Sequence, residues 1–228
     1  AILTTGLNDS VTNRGAITGD TTTDPRAVVI GAGTSQFLNF GTVTTTTGNA
    51  NAVELDGFDE TGGSGVTNYG VIQTSGSLSH GVYVGQTNSS VSNSGQIIAI
   101  GENADALRFE VGDATAFNSG ALRADQGNAL TFLGSTNSLT LAAPAYILGG
   151  MSLGLDSTVV INTGQSQSFQ WTFSGTPWTS MTVTAAVPYV ISGSTVASID
   201  PTQFSAAQTG MTGLASLAFD LATGPASA

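Results

Sequence analysis

The chain contains one histidine, His80, and no cysteine. Any nucleophile–base–acid arrangement resting on imidazole must use that residue. Ser79 beside it points to the opposite side of a strand, and no G-x-S-x-G elbow occurs. His80 therefore reads as an exposed turn residue rather than a general base. Structural zinc needs three or four convergent nitrogen or sulfur donors, which a chain without His pairs or Cys does not offer. Oxygen-ligated calcium has one candidate, the acidic stretch Glu54-Leu55-Asp56-Gly57-Phe58-Asp59-Glu60. The G-G-x-G-x-D calcium repeat is absent, so the stretch reads as a loop extruded from one repeat, and no metal is assigned. No phosphate-cradling G-x-x-x-x-G-K-[ST] occurs. Glycan cleavage needs paired carboxylates. The candidates are Asp105, Glu110 and Asp113 with Arg108, but their spacing scatters them over both faces of a strand and a turn. The chain is accordingly expected to be non-enzymatic, with no catalytic residue and no cofactor.

Composition narrows the partners. Fifteen acidic residues against four basic ones give a formal charge of −11. Nucleic acid and anionic bilayers both demand Lys and Arg clusters, so neither is an expected partner. Hydrophobic residues make up 40% of the chain, enough for a real core, while charged residues make up only 8%, against a norm of about 25%. Thr, Ser, Asn, Gln and Gly fill the surface instead, a mixture that favours strands and turns. No apolar run reaches the roughly 18 residues of a membrane helix. Without cysteine there is no disulfide framework, which suits a chain that crosses an oxidising space unfolded. Ala1 starts within repeat-like sequence, and the chain is expected to be a piece of something longer.

The most regular feature is a five-residue frame: VTNRG, FLNFG, VTNYG, VSNSG and AFNSG. Its glycines, Gly15, Gly41, Gly70, Gly95 and Gly120, are 26, 29, 25 and 25 residues apart. Two positions before each stands an asparagine: Asn13, Asn39, Asn68, Asn93 and Asn118. Val11, Phe37, Val66, Val91 or Ala116 lies two earlier, and Ile17, Val43, Ile72, Ile97 or Leu122 lies two after the glycine. One shared parity marks a strand with one buried face. A second element follows each glycine, reading AVVI, AVEL, GVYV, ALRF and ALTF. Its inward pairs run from Val28 and Ile30 to Leu130 and Phe132. The outward residues Val29, Glu54, Tyr83, Arg108 and Thr131 share no chemistry.

A period of this length, built from strands alone, predicts an all-β, right-handed parallel β-helix with about 25 residues per coil. Propeller blades need about 40 residues, and leucine-rich repeats a fuller Leu pattern. Coils paired in register put like side chains above one another. An inward Asn can then hydrogen-bond to the Asn above and below or to the turn backbone. The Gly two residues on accepts a positive φ or a close backbone approach. Both rows read as structure rather than as a ligand site.

Coils are expected over 1–163. After residue 135 the inward series is expected to be Leu139 and Leu141, Tyr146 and Leu148, Met151, Leu153 and Leu155, then Val159 and Ile161. Residues 164–200, with both tryptophans, read as a β cap that covers an open sheet edge. Leading into 201–228, Asp200-Pro201-Thr202-Gln203 carries a helix-start signature, followed by Phe204, Ala207, Met211, Leu214, Leu217 or Ala218, and Leu221 at helical spacing. This tail is expected to be helical or disordered, because Gly210 and Gly213 weaken a free helix.

The order of these parts resembles that of monomeric, pertactin-like autotransporters, the self-secreting surface proteins of Gram-negative bacteria. The resemblance rests on the V-x-N-x-G-x-I coils, the L-x-G-x-x-L-G-x-D-x-x-x-x-I stretch from Leu148 to Ile161, the aromatic cap and the I-D-P-x-x-F helix start. It implies a passenger displayed on the exterior face of the outer membrane or secreted, whose tail enters its own C-terminal outer-membrane barrel. It also implies a C-terminal folding template, for which Trp171, Phe173, Trp178, Tyr189 and Val190 are the candidates. The expected role is a stem supporting adhesion, with a host surface protein, a glycan or another copy of the chain as partner. The alternatives are the stalk of an enzyme whose catalytic domain lies upstream, or a glycan-cleaving β-helix.

Overall fold

The computed structural model describes residues 1–19, 25–31, 33–56, 63–164, 167–175 and 180–200, with Thr202, Gln208, Thr209, Met211, Thr212 and Ser216 beyond them. These residues form a parallel β-solenoid of about seven turns. Each complete coil contributes three short strands. The first face stacks Ile2–Thr4, Val28–Ile30, Val53–Leu55, Val82–Val84 and Leu107–Phe109. The second stacks Ser10–Asn13, Gln36–Asn39, Gly65–Asn68, Ser90–Asn93, Thr115–Asn118, Ser138–Ala142, Thr158–Thr163 and Ser180–Ala185. The third stacks Ala16–Gly19, Thr42–Thr45, Val71–Thr74 and Gln96–Ala99. The corner between third and first faces then straightens, and Ala121–Phe132 runs as one strand across both.

Parity decides what is inside. Phe37, Val66, Val91 and Ala116 lie above one another, as do Val43, Ile72, Ile97 and Leu122, all with negligible exposure. Val82, Leu107 and Leu130 repeat this on the first face, where Phe109 meets Phe132 edge-on at 4.9 Å. Each such Val, Leu, Ile or Phe side chain contributes about 1.5–3 kcal/mol on leaving water.

Beyond residue 135 one part of the inward series slips. Leu139, Leu141, Met151, Leu153, Val159 and Ile161 are buried, but Tyr146, Leu148 and Leu155 are exposed. Ile147 pairs with Leu122 and takes the inward place. In the same strand Gly149 has φ +119°, and pairing with Ala121–Phe132 shifts register after Arg123. The irregularity leaves parity intact: Ile147, Met151 and Leu153 share one face of a single strand, which turns Tyr146 and Leu148 outward.

Parallel stacking continues into the 164–200 region. Met151 pairs with Phe173, and Thr158–Thr163 with Ser180–Ala185. Antiparallel pairing begins with the hairpin Tyr189–Ser192 and Thr195–Ser198, which joins the edge of Phe169–Gly175. Trp171 and Phe173 are buried there, and Phe169 stacks on Trp171 at 4.1 Å. Tyr189 and Val190 are exposed on the outer strand, and Trp178 lies outside the described residues. At the exit, the Thr202 backbone N–H donates to Asp200 Oδ1 at 2.9 Å, the bond of a helix N-cap. A bond from the Thr202 hydroxyl, and secondarily this backbone one, hold the Asp200 carboxyl below its usual range. Pro201, Gln203, Phe204, Leu214 and Leu221 lie outside the described residues. Among the described residues, no helix is long and apolar enough to cross a membrane.

Candidate functional site

The asparagines form a directed ladder. Nδ2 of Asn13 donates to Oδ1 of Asn39 at 2.8 Å, Asn39 to Asn68 at 2.7 Å, Asn68 to Asn93 at 2.8 Å and Asn93 to Asn118 at 2.7 Å. Each of the inner three also donates to backbone carbonyls, as Asn68 does to Gly70 and Gln96. The ladder ends where Leu141 stacks on Asn118. These amides are buried and mutually occupied, so they hold coils together and present nothing to a ligand.

The glycine row has a different cause. A Cβ on Gly41, Gly70, Gly95 or Gly120 would collide with the carbonyl of the glycine one coil below, whereas a Cβ on Gly15 meets nothing within 4 Å. Close approach, not positive φ, requires these glycines.

The first face carries the polar cluster. Glu54, Tyr83, Arg108 and Thr131 stack outward in register. Glu54 is buried between Arg26 Nη1 at 2.5 Å and Asn51 Nδ2 at 2.7 Å. Arg108 bridges two carboxylates, Asp105 at 3.2 Å and Glu110 at 2.6 Å. The structure thus gathers Asp105, Arg108 and Glu110, which their spacing was expected to scatter. Only Asp113 lies apart, accepting a bond from Thr136 in an exposed turn. The outward row thus carries two separate ion-paired groups, Glu54 with Arg26 and Arg108 with Asp105 and Glu110.

His80 is also not an exposed turn residue, being only 8% exposed. Its Nδ1 accepts the backbone N–H of Asp105 at 3.0 Å, so the neutral ring carries its proton on Nε2. The same position in neighbouring coils acts alike: Asn51 Oδ1 accepts from His80 N at 2.8 Å, and Asp105 Oδ1 from Asn128 N at 2.8 Å. Asn51, His80, Asp105 and Asn128 each immediately precede the small residue that opens the first-face strand, so the signal was in the sequence. It escapes notice because three residue types supply one role, an acceptor for the next coil's N–H.

A shallow cleft of about 310 Å³ beside this row is lined by Asn49, Asn51, Glu54, Asp56, Leu78, His80 and Tyr83. Burial, together with Glu110, Asp56 and Glu54, pushes the Tyr83 phenol above its usual range. Ser79 is turned away, accepting from Ala50 N at 2.9 Å and donating to Thr47 O at 3.0 Å. Ser79 and His80 therefore do not form a nucleophile–base pair. Of the calcium stretch, Glu54 is committed to Arg26 and Asn51, while 57–60 lie outside the described residues. No group of three or more metal-ligating His, Asp or Glu occurs among the described residues.

Burial lowers the His80 pKa below its usual 6.5, outweighing the opposing field of Asp105. Below pH 6.5 the unfolded chain therefore takes up more protons than the fold. The His80 contribution is complete above 6.5 and is lost as pH falls through the depressed folded value. Melting temperature is expected to drop as pH falls below about 6.5, and His80→Gln to flatten that slope. An unchanged slope in His80→Gln contradicts the assignment.

No protein-family model, curated protein or solved structure matches the chain.

Proposed function

We propose that this chain is a stem of a surface-displayed, non-enzymatic autotransporter passenger, supporting adhesion and carrying a C-terminal folding template. The observation that carries the reading is the continuity of the stack. Coils pair in parallel from Ile2 to Ala185 and close on an antiparallel hairpin, immediately followed by the N-capped exit at Asp200. In a one-dimensional stack each coil gains stability from its neighbour, so a closed end can template the rest. The ion-paired first face supports a structural rather than a catalytic reading. Arg108 and Glu54, which a lyase or hydrolase would direct at substrate, are bonded to protein groups.

The display part is tested by expressing the gene, with whatever flanks this segment, in intact Gram-negative cells and adding protease outside. Removal of the stem without lysis is expected; full protection until lysis contradicts display. The template part is tested by refolding kinetics. Trp171→Ala is expected to slow refolding several-fold, whereas Phe37→Ala, at the far end, acts mainly on unfolding. Equal refolding rates for the two variants sink the template.

A further inference from the structure

The corner between the second and third faces carries a stack of side chains that stops short. Arg14 sits over the Phe40 ring at 4.6 Å, and Phe40 stacks on Tyr69 at 5.1 Å with 9° between the planes. All three occupy the position between Asn and Gly in successive coils. In the next two coils that position holds Ser94 and Ser119, whose hydroxyls are 3.0 Å apart. Both faces of Phe40 are covered, but the far side of Tyr69 opens into a groove of about 470 Å³. Pro144 and Tyr146 close its other end. The two tyrosines remain 53% and 57% exposed. With about 4.8 Å per coil, Tyr69 and the Pro144–Tyr146 wall stand roughly 14 Å apart.

We propose that this groove binds a short run of an uncharged, extended glycan. The missing rings leave space for flat, partly apolar rings in line with Tyr69. The lining contains no charged side chain. Arg14 is engaged beyond Phe40, and Arg123 is held by Asp125 at 2.7 and 2.9 Å. A polyanion therefore finds no counter-charge. A peptide added as a strand finds few free main-chain groups either. Gly95 and Gly120 donate to Asn68 and Asn93, while Gly70, Gly95 and Gly120 accept from Gln96, Ala121 and Tyr146. What the groove offers is two serine hydroxyls and the Gln96 amide, which both donate and accept. That inventory suits a partner recognised by its hydroxyls between aromatic platforms.

The proposal rests on reading the chain as a contact surface, yet its test uses purified protein and is independent of display. Tetramers of β-1,4-linked glucose, xylose and N-acetylglucosamine are titrated with saturation-transfer NMR. A galacturonate tetramer and a proline-rich peptide serve as counter-probes. At least one neutral tetramer is expected to bind. Tyr69→Ala should weaken it about tenfold or more. Ser94→Tyr, which extends the stack into the groove, should abolish binding while leaving the melting temperature unchanged or higher. Absence of binding to every neutral tetramer, binding indifferent to both variants, or binding of the peptide alone overturns the proposal. Cleavage of a bound tetramer would leave the groove's ligand class standing and overturn the non-enzymatic reading instead.

Discussion

Alanine in place of Gly95 is expected to destabilise the middle of the stack by about 4 kcal/mol or more, the range of severe steric replacements. The added Cβ would lie inside van der Waals contact of the Gly70 carbonyl oxygen and 2.6 Å from the Tyr69 carbonyl carbon. Both are backbone atoms and cannot rotate away. Relief requires the two coils to part, and that stretches Gln96 N to Gly70 O, now 2.9 Å, and Gly95 N to Asn68 O, now 3.0 Å. The matched control is Gly15→Ala. Nothing stands within 4 Å of its Cβ, so the change is expected to be neutral within about 0.5 kcal/mol. Denaturant titration of the pair separates packing from glycine flexibility, since both residues lose the same freedom. Equal effects at the two positions would remove close coil approach as the reason for the glycine row.

The second large effect is expected at Asn68→Ala. This amide is fully buried, accepts from Asn39 and donates to Asn93. Its removal strips Asn93 Oδ1 of its donor and leaves a void beside it. An orphaned buried polar atom costs about 1–3 kcal/mol. With lost packing added, about 3–5 kcal/mol is expected, a drop of roughly 10 °C for a chain of this size. Asn118→Leu should cost much less. Asn93 Nδ2 keeps the Ala121 carbonyl at 3.1 Å, and the residue stacked beyond is already Leu141. A ladder that acts as a unit predicts this gradient from middle to end. Equal losses at 68 and 118 would mean that the amides act singly.

What was legible in the sequence was whatever repeats in kind. The Asn and Gly rows, and the alternation from Val11 to Phe132, keep one residue type or one polarity at a fixed interval, so they appear without coordinates. What was not legible repeats in role but not in kind. Asn51, His80 and Asp105 each accept the next coil's N–H through oxygen or nitrogen, and reading residue types coil by coil places His80 wrongly in an exposed turn. The gathering of Asp105, Arg108 and Glu110 escaped for a related reason. Glu110 shares the parity of Arg108, but Asp105 precedes the strand, and only the bend at Ala106 brings it within reach of the same guanidinium. Tyr146 and Leu148 slipped because alternation reads them as a pair separate from Met151 and Leu153, whereas one strand runs through Gly149 and Gly150 and its single parity puts Ile147 inward instead. The groove at Tyr69 was hidden by the frame itself. The position between Asn and Gly reads as free to vary, and the stacking of Arg14, Phe40 and Tyr69 there becomes visible only once coils lie above one another.

The central claim, that coils stack in register at a constant rise, is tested most directly by pulsed electron spin resonance on paired labels. The chain has no native cysteine to interfere. Thr12, Leu38, Thr67 and Ser92 occupy one outward column of the second face, seven, six, five and four coil steps from Thr182. With Thr182 as the fixed label, distances of about 34, 29, 24 and 19 Å are predicted, shrinking by roughly 4.8 Å per coil. Four distances that do not fall in this order, or that fall by unequal steps, would contradict the stacked-coil account and the ladder built on it.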